Sequence, residues 1–316
     1  MDTATADGHI RAVLAEAVGN GEVRDLVRLT GGASRETWRC EVDGVAHVVQ
    51  RQRTGAVHDM AIEAAILRAA ASEGVPVPPL VAHVVDAGGV SSLVTRFIPG
   101  ETIARKILRD DRFAVARDRL AADLGRALAR VHRIRPDSVP GLALIDPLET
   151  YRQRLDELGQ PHPAFELAYR WLEEHRPPTT GDTVVVHGDY RLGNVIVADR
   201  GLAAVIDWEL AHLGDPVEDL GWLCVPAWRF GSPRPVAGVA DRDVLLRAYA
   251  DESGVEIDRE TLRWSEVNGI LRWGIMCIMQ AESHRSGLAR SHELAAIGRR
   301  VCENEHDLFL ALQGRW

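Results

Sequence analysis

The segment His187-Gly188-Asp189-Tyr190-Arg191-Leu192-Gly193-Asn194, followed thirteen residues after Asn194 by Asp207, holds two carboxylates and a carboxamide at spacings that suit chemistry on oxygen. It begins directly behind the apolar run Val184-Val185-Val186, and Asp207 directly follows Ala203-Ala204-Val205-Ile206. Both acids therefore fall at strand ends, where loops converge. Phosphoryl transfer needs this inventory: one carboxylate to orient the attacking hydroxyl and accept its proton, and oxygen ligands for a hard magnesium ion. Asp189 fits the first role, and Asn194 and Asp207 fit the second. On chemistry alone His187 stays open, because an imidazole at a strand end serves as a base or a metal ligand, although it suits magnesium poorly.

The elements that must position these groups read in two blocks. The acids belong to an island of strands, TVVVHGDY, NVIVAD and LAAVID, between Thr183 and Asp207, with Asp199 to Gly201 as the turn joining the last two. Helices surround the island: a long amphipathic one over Asp111 to Ile134, shorter ones over Tyr151 to Leu158 and Phe165 to Glu174, and others over Val244 to Tyr249, Leu262 to Gln280 and Leu294 to Leu312. Upstream the pattern differs. Ala6 to Val18 places Ile10, Val13, Leu14 and Val18 on one helical face, and the runs LVRLT, TWRCEV and VAHVVQ between Asp25 and Arg53 are broken by Gly31-Gly32 and by the hairpin pair Asp43-Gly44. A helix over His58 to Ala71 closes at Gly74 and the prolines 76, 78 and 79, and the strand-like runs LVAHVV and SSLVTRFI end at Pro99-Gly100. The expected fold class is α+β and bilobal: residues 1–98 form a small antiparallel β lobe with one helix, and residues 99–316 form a larger, mainly helical lobe with a β island.

H-x-D-x-x-x-x-N followed by a strand-end Asp, with the tail HLGDPVEDLGWL carrying Asp215 and Asp219, resembles the catalytic signature of the aminoglycoside phosphotransferase family, a branch of the protein-kinase-like fold. The D-W-E and G-D-P-x-E-D-L segments are more similar to the branch linked to acyl-CoA dehydrogenases than to dedicated resistance enzymes. The resemblance implies ATP or GTP as phosphoryl donor, Mg2+, and a small-molecule hydroxyl as acceptor, either a hydroxy-acyl metabolite or an aminoglycoside-like compound. It makes residues 1–98 the nucleotide-binding lobe and casts His187 and Asp219 as supports that hold the catalytic loop. Gly31, Gly32 and Ser34 would cradle phosphates, since small residues admit close backbone N–H groups. The third strand, Val48-Val49-Gln50-Arg51, falls where kinases place a phosphate-pairing lysine. The one lysine of this chain, Lys106, lies far downstream, so Arg51 takes the charge role, with Gln50 and Arg53 in neighbouring registers. Glu63 resembles the helix glutamate that pairs with that cation, and the run LVTRFIPG resembles a hinge in which backbone groups of Phe97 and Ile98 meet the purine edge.

Composition narrows the alternatives. With 37 basic against 46 acidic residues the formal charge is −9, which argues against nucleic-acid phosphates and anionic lipids as partners. Cys40, Cys224, Cys277 and Cys302 are far apart and form no C-x-x-C pair, so free thiols are expected rather than a zinc site or a disulfide framework. The first residues carry no basic segment followed by an apolar run, and a cytoplasmic protein is expected. Two other functions share the motif: a metal-dependent hydrolase using Asp189, Asn194, Asp207 and His187, and a non-catalytic nucleotide-binding protein on the same fold. The helices after Leu262 are expected to line the acceptor site, with Glu266, Glu282 and Glu293 alternating with Arg272, Arg285, Arg299 and Arg300.

Overall fold

The computed structural model describes residues 3–29, 35–53, 59–178 and 182–315. Helix α1 (Thr3–Val18) precedes strands β1 (Val23–Leu29), β2 (Arg35–Val42) and β3 (Val45–Gln52). Helix α2 (Met60–Ser72) follows, then β4 (Leu80–Val85) and β5 (Ser91–Arg96). These strands make one antiparallel sheet in the order β1-β2-β3-β5-β4. The β2–β3 connection is the two-residue turn expected of an Asp-Gly pair, with Asp43 at φ 49° and Gly44 at φ 79°. Asp59 caps α2 by accepting the Ala61 N–H at 2.8 Å.

The two faces of this sheet do different work. Trp38, Cys40, Val42, Val49, Val84 and Val94 turn one face onto Ile10, Val13 and Leu14 of α1. Because strand side chains alternate, Gln50 lies on the other face, opposite Thr37 and Leu93. Leu93 there joins the core shared by α2 and the large lobe.

The large lobe opens with α3 (Ala104–Arg109) and α4 (Ala114–Val131), continues through α5 (Pro147–Leu158) and α6 (Pro163–Glu174), and then lays down β6 (Val184–Val186), β7 (Val195–Ala198), β8 (Gly201–Val205) and β9 (His212–Gly214). Strands β7 and β8 pair as a hairpin, and β6 pairs with β9. The chain ends with α7 (Val217–Leu223), α8 (Arg242–Ser253), α9 (Arg259–Arg285), α10 (His292–Ile297) and α11 (Val301–Leu312). The linker is tied to the island by reciprocal Glu101 and Val197 backbone bonds of 2.9 and 3.0 Å. A second core, built on Trp222, Trp228, Trp264 and Trp273, joins α5, α6, α9 and α11.

The bilobal α+β architecture is the expected one, with local corrections. Leu294 to Leu312 is not one helix: a short turn at Gly298–Arg300 separates α10 from α11, and a β-carbon at Gly298 would lie 2.5 Å from that of Ala281 on α9. The short elements α3, α7 and β9 were not expected, being too brief for periodicity to register. Cys40, Cys224 and Cys277 are buried free thiols, and Cys302 is exposed. Among the described residues no helix is long and apolar enough to cross a membrane.

Candidate active site

Strand β6 delivers the chain into a sharp turn. Gly188 sits at φ +79°, and a β-carbon there would come within 2.2 Å of the Leu210 carbonyl oxygen, so only glycine fits. The turn is held from beneath by Asp219 on α7, whose fully buried carboxylate accepts the His187 N–H at 2.7 Å, the Gly188 N–H at 3.0 Å and the His132 Nε2 at 3.2 Å. Burial pushes the Asp219 carboxyl up, but the bond and charge of His132, with His187, outweigh burial and hold it below the usual aspartate range. The His187 ring is also fully buried, and burial lowers its pKa. Its Nδ1 accepts the Asp189 N–H at 3.2 Å and its Nε2 faces the Ile206 carbonyl at 3.1 Å. Both ring nitrogens are thus occupied inside the fold, and neither is free for a metal.

Asp189 emerges from this turn with its carboxylate oriented on three sides. Trp222 Nε1 donates to Oδ1 at 2.8 Å, Arg191 Nε donates at 3.0 Å, and Asn194 Nδ2 donates to Oδ2 at 2.6 Å. The Asn194 nitrogen also serves the Asp189 carbonyl at 2.9 Å, which leaves the amide oxygen as that side chain's acceptor. Asp207 is brought alongside by the hairpin: the Ile206 N–H donates to the Asn194 carbonyl at 3.0 Å. Its backbone is left-handed, φ 68°, a conformation costly for a non-glycine residue and common at functional sites. Burial first, then the neighbouring Glu209, push the Asp207 carboxyl up to about 6, against the pull of Arg35.

On the small-lobe side the charge arrives from an unexpected strand. Arg35, the first residue of β2, donates from Nη1 to both Glu63 oxygens at 2.9 and 2.8 Å, and from Nη2 to Glu209 at 3.1 Å, with Asp207 3.9 Å away. Its side chain is 6% exposed, so one guanidinium spans α2 and the large lobe inside the gap. Arg51 does not meet Glu63. It shares a face of β3 with Val49, the face turned to α1, and pairs with Asp86 at 3.0 Å. The alternation of a strand forbids the expected pairing, because α2 packs on the opposite face. The Phe97 N–H is spent on the Ala46 carbonyl at 3.0 Å, extending the β3–β5 ladder, so of the expected hinge groups this donor is engaged within the sheet. Ile98 is half-buried beside it. Gly31, Gly32 and Ser34 lie outside the described residues.

Several site residues were not foreseen. Trp222 and Arg191 sit inside segments that the motif itself covers, Arg35 directly follows the Gly31–Ser34 segment, and Glu209 lies two residues after Asp207. Adjacency was therefore an available signal for all four. Arg272 on α9, expected among the charges lining the acceptor site, is buried, donates to the Gly188 carbonyl at 2.6 Å, and lies over the rings of Trp222 and Tyr151, 4.5 and 5.3 Å from their centroids. Glu266 is no part of this wall, being buried against Arg242 at 2.5 and 2.6 Å. A cavity of about 240 Å³ lies at the opposite end of β6, lined by Ile145, Arg176, Thr183, Glu218, Trp264 and Asn268, and it includes none of Asp189, Asn194 and Asp207.

A small antiparallel lobe above a helical lobe, with an acid-amide-acid set on a strand island at their junction, defines the kinase-like class of phosphotransferases. The chain belongs to the phosphotransferase enzyme family, whose pattern matches residues 25–263. Among curated proteins it is 27% identical over 239 residues to acyl-CoA dehydrogenase family member 10 of Mus musculus, covering 70% of this chain and 22% of that protein. It is 26% identical over 211 residues to acyl-CoA dehydrogenase family member 11 of Gallus gallus, covering 61% and 27%. The match thus spans about a quarter of the length of these relatives. A choline/ethanolamine kinase family protein from Mesorhizobium loti shares the fold at a TM-score of 0.68 and 21% identity, covering 97% of this chain and 98% of that one. Spectinomycin phosphotransferase, solved with ADP and spectinomycin, does so at 0.69 and 13%, also covering 97% and 98%. Family and fold agree: the chain carries the phosphotransferase-family pattern on a kinase-like fold.

Proposed function

We propose that the chain transfers the γ-phosphoryl group of ATP or GTP, with Mg2+, to a hydroxyl of a small molecule. The observation that carries this reading is the Asp189 carboxylate, oriented by Trp222, Arg191 and Asn194 next to the strained Asp207. Asp189 would accept the hydroxyl proton as the oxygen attacks. His187 and Asp219 would hold its backbone and touch no phosphate. Asn194 and Asp207 would be the metal ligands. The residues fit a divalent cation: Asp207, Glu209 and Glu63 crowd one guanidinium, three carboxylates around a single positive charge. An amide oxygen and a carboxylate are also the hard donors that magnesium prefers. When bound, the ion supplies neutralisation of charge on the donor phosphates. A hydrolase using His187 as ligand is disfavoured, since both ring nitrogens are engaged.

For the acceptor, Arg191 and Arg272 beside Asp189, with Trp222, Trp228 and Tyr151, favour a molecule with an anionic or neutral body over a polycation. A hydroxy-acyl metabolite suits this wall, and the names of the curated relatives agree with it. The test is nucleotide consumption by wild type and Asp189→Ala, with and without Mg2+, on hydroxy acids, their acyl thioesters, choline and aminoglycosides. Mg2+-dependent turnover that Asp189→Ala abolishes is the expected result. Equal turnover by both proteins, or none on any acceptor, would sink the reading.

A further inference from the structure

In a kinase-like site a cation on β3 pairs with the α2 glutamate and faces the donor phosphates, and β3 of this chain offers none. Arg51 is turned to α1 and Asp86, and Gln50, on the cleft-facing side, is neutral. Lys106 is 58% exposed in the large lobe and paired with Glu101 at 3.1 Å. A site that must gather a triphosphate with several negative charges has to find its positive charge elsewhere.

We infer that Arg35, on β2, is the residue that contacts the donor phosphates in place of a β3 lysine; this rests on the proposed phosphotransfer. Its two terminal nitrogens are already divided between two tasks. Nη1 is committed to both Glu63 oxygens, which fixes the plane of the guanidinium. Nη2 reaches across the gap to Glu209 at 3.1 Å and approaches Asp207 at 3.9 Å, a charge contact rather than a hydrogen bond. The Nη2 partners are large-lobe carboxylates 33% and 37% exposed, while the Nη1 partner is 3% exposed. Exchange is therefore asymmetric. With a nucleotide and its divalent ion bound, Asp207 would be held by the ion and Nη2 would be free to move from carboxylate to phosphate oxygen while Nη1 stays on Glu63. Phosphate replaces carboxylate around the guanidinium, so the buried charge stays compensated throughout. Position supports the assignment, since Arg35 directly follows the Gly31-Gly32-Ala33-Ser34 segment.

The experiment measures dissociation constants for Mg2+-ATP, Mg2+-GTP, adenosine and guanosine by equilibrium binding, without relying on turnover. Proteins compared are wild type, Arg35→Met, Arg35→Met with Glu63→Gln, Arg51→Met, and Arg35→Met with Gln50→Lys. Arg35→Met leaves Glu63 buried without this cation, and the double variant removes that charge, so a folding defect is separated from a lost phosphate contact. Expected are a loss of about 10- to 100-fold in triphosphate affinity in both Arg35→Met and the Glu63→Gln double variant, the span of one charge-assisted bond. Nucleoside affinity stays unchanged, Arg51→Met binds as wild type, and Gln50→Lys restores part of the loss. Wild-type triphosphate affinity in the Arg35→Met, Glu63→Gln protein, or an equal loss in Arg51→Met, overturns the assignment of Arg35 alone. A wild-type chain that binds neither triphosphate overturns the proposed function with it.

Discussion

Asp189 and Arg35 stand on opposite sides of one gap and are held by different physics. Asp189 rides on a turn whose backbone is bonded to a carboxylate with no solvent exposure, and its own carboxylate receives three donors from the large lobe. Arg35 is held by charge, one cation among three carboxylates, two of which belong to the other lobe and are partly exposed. Buried, satisfied networks are rigid and costly to break, whereas charge pairs exchange partners when a better ion arrives. On the proposed function the reacting carboxylate is thus preorganised, and the donor side is the half that responds to its ligand.

The comparison breaks most readily at the two aspartates of the rigid half. Asp189→Ala removes the proposed proton acceptor and no part of the proposed donor site, so turnover should fall by about 10²- to 10⁴-fold with triphosphate affinity within a factor of a few of wild type. Steady-state rates beside equilibrium binding check this, and a parallel loss of affinity would merge the two halves. Asp219→Ala strands the N–H groups of His187 and Gly188 in a fully buried place and should cost about 3–5 kcal/mol of stability, read from urea unfolding. A cost under about 1 kcal/mol would show that the turn is held by something other than Asp219.

How far each half was legible follows from the same distinction. The rigid half is local in the chain: Asp189, Asn194 and Asp207 lie within one strand island, and the tail with Asp219 and Trp222 starts five residues after Asp207. A motif reader therefore meets nearly all of it in order. The donor half is assembled over long separations, Arg35 to Glu63 and then to Glu209, and depends on which face of β3 each residue takes. Period-2 alternation held the answer for Arg51, since Val49 belongs with Trp38 and Cys40 on the α1 face. It could be applied only once α1 and α2 were known to cover opposite faces. Arg272 was legible only as one of several charges on the helices after Leu262, and its bond to Gly188, from 84 residues away, was beyond local reading.

The responsive half should also betray itself through pH. With Asp207 as the proposed magnesium ligand, its carboxyl pushed up to about 6, Mg2+-dependent triphosphate affinity should fall roughly tenfold per unit below pH 6 and level off above it. For the ligand-free chain the sign is opposite. An acid whose folded-state pKa is raised stabilises the fold fully below the ordinary aspartate range, and that contribution is lost as pH rises through about 6. Burial is the larger cause and Glu209 the next, so Glu209→Gln should move the binding midpoint to lower pH while a plateau remains. Binding isotherms from pH 4.5 to 8 measure both, and a pH-independent affinity would remove Asp207 from the metal's coordination.

The smallest expected effect is the sharpest contrast with Arg35. Arg51 is as deeply buried, with 7% of its side chain exposed, and it too pairs with a carboxylate, but Asp86 is 29% exposed and sits in the β4–β5 turn on the α1 side of the sheet. Arg51→Met exchanges that pair for an apolar chain of similar reach. Asp86 keeps its bonds from the Gly88 and Val90 N–H groups, both at 2.9 Å, so its charge is not stranded. Stability should change by no more than about 1 kcal/mol in either direction, as for partly exposed pairs. Two buried arginines sixteen residues apart would then differ by an order of magnitude or more in their effect on triphosphate binding, because the opposite faces of the sheet from which they project give one the carboxylates of the interlobe gap and the other a single turn aspartate.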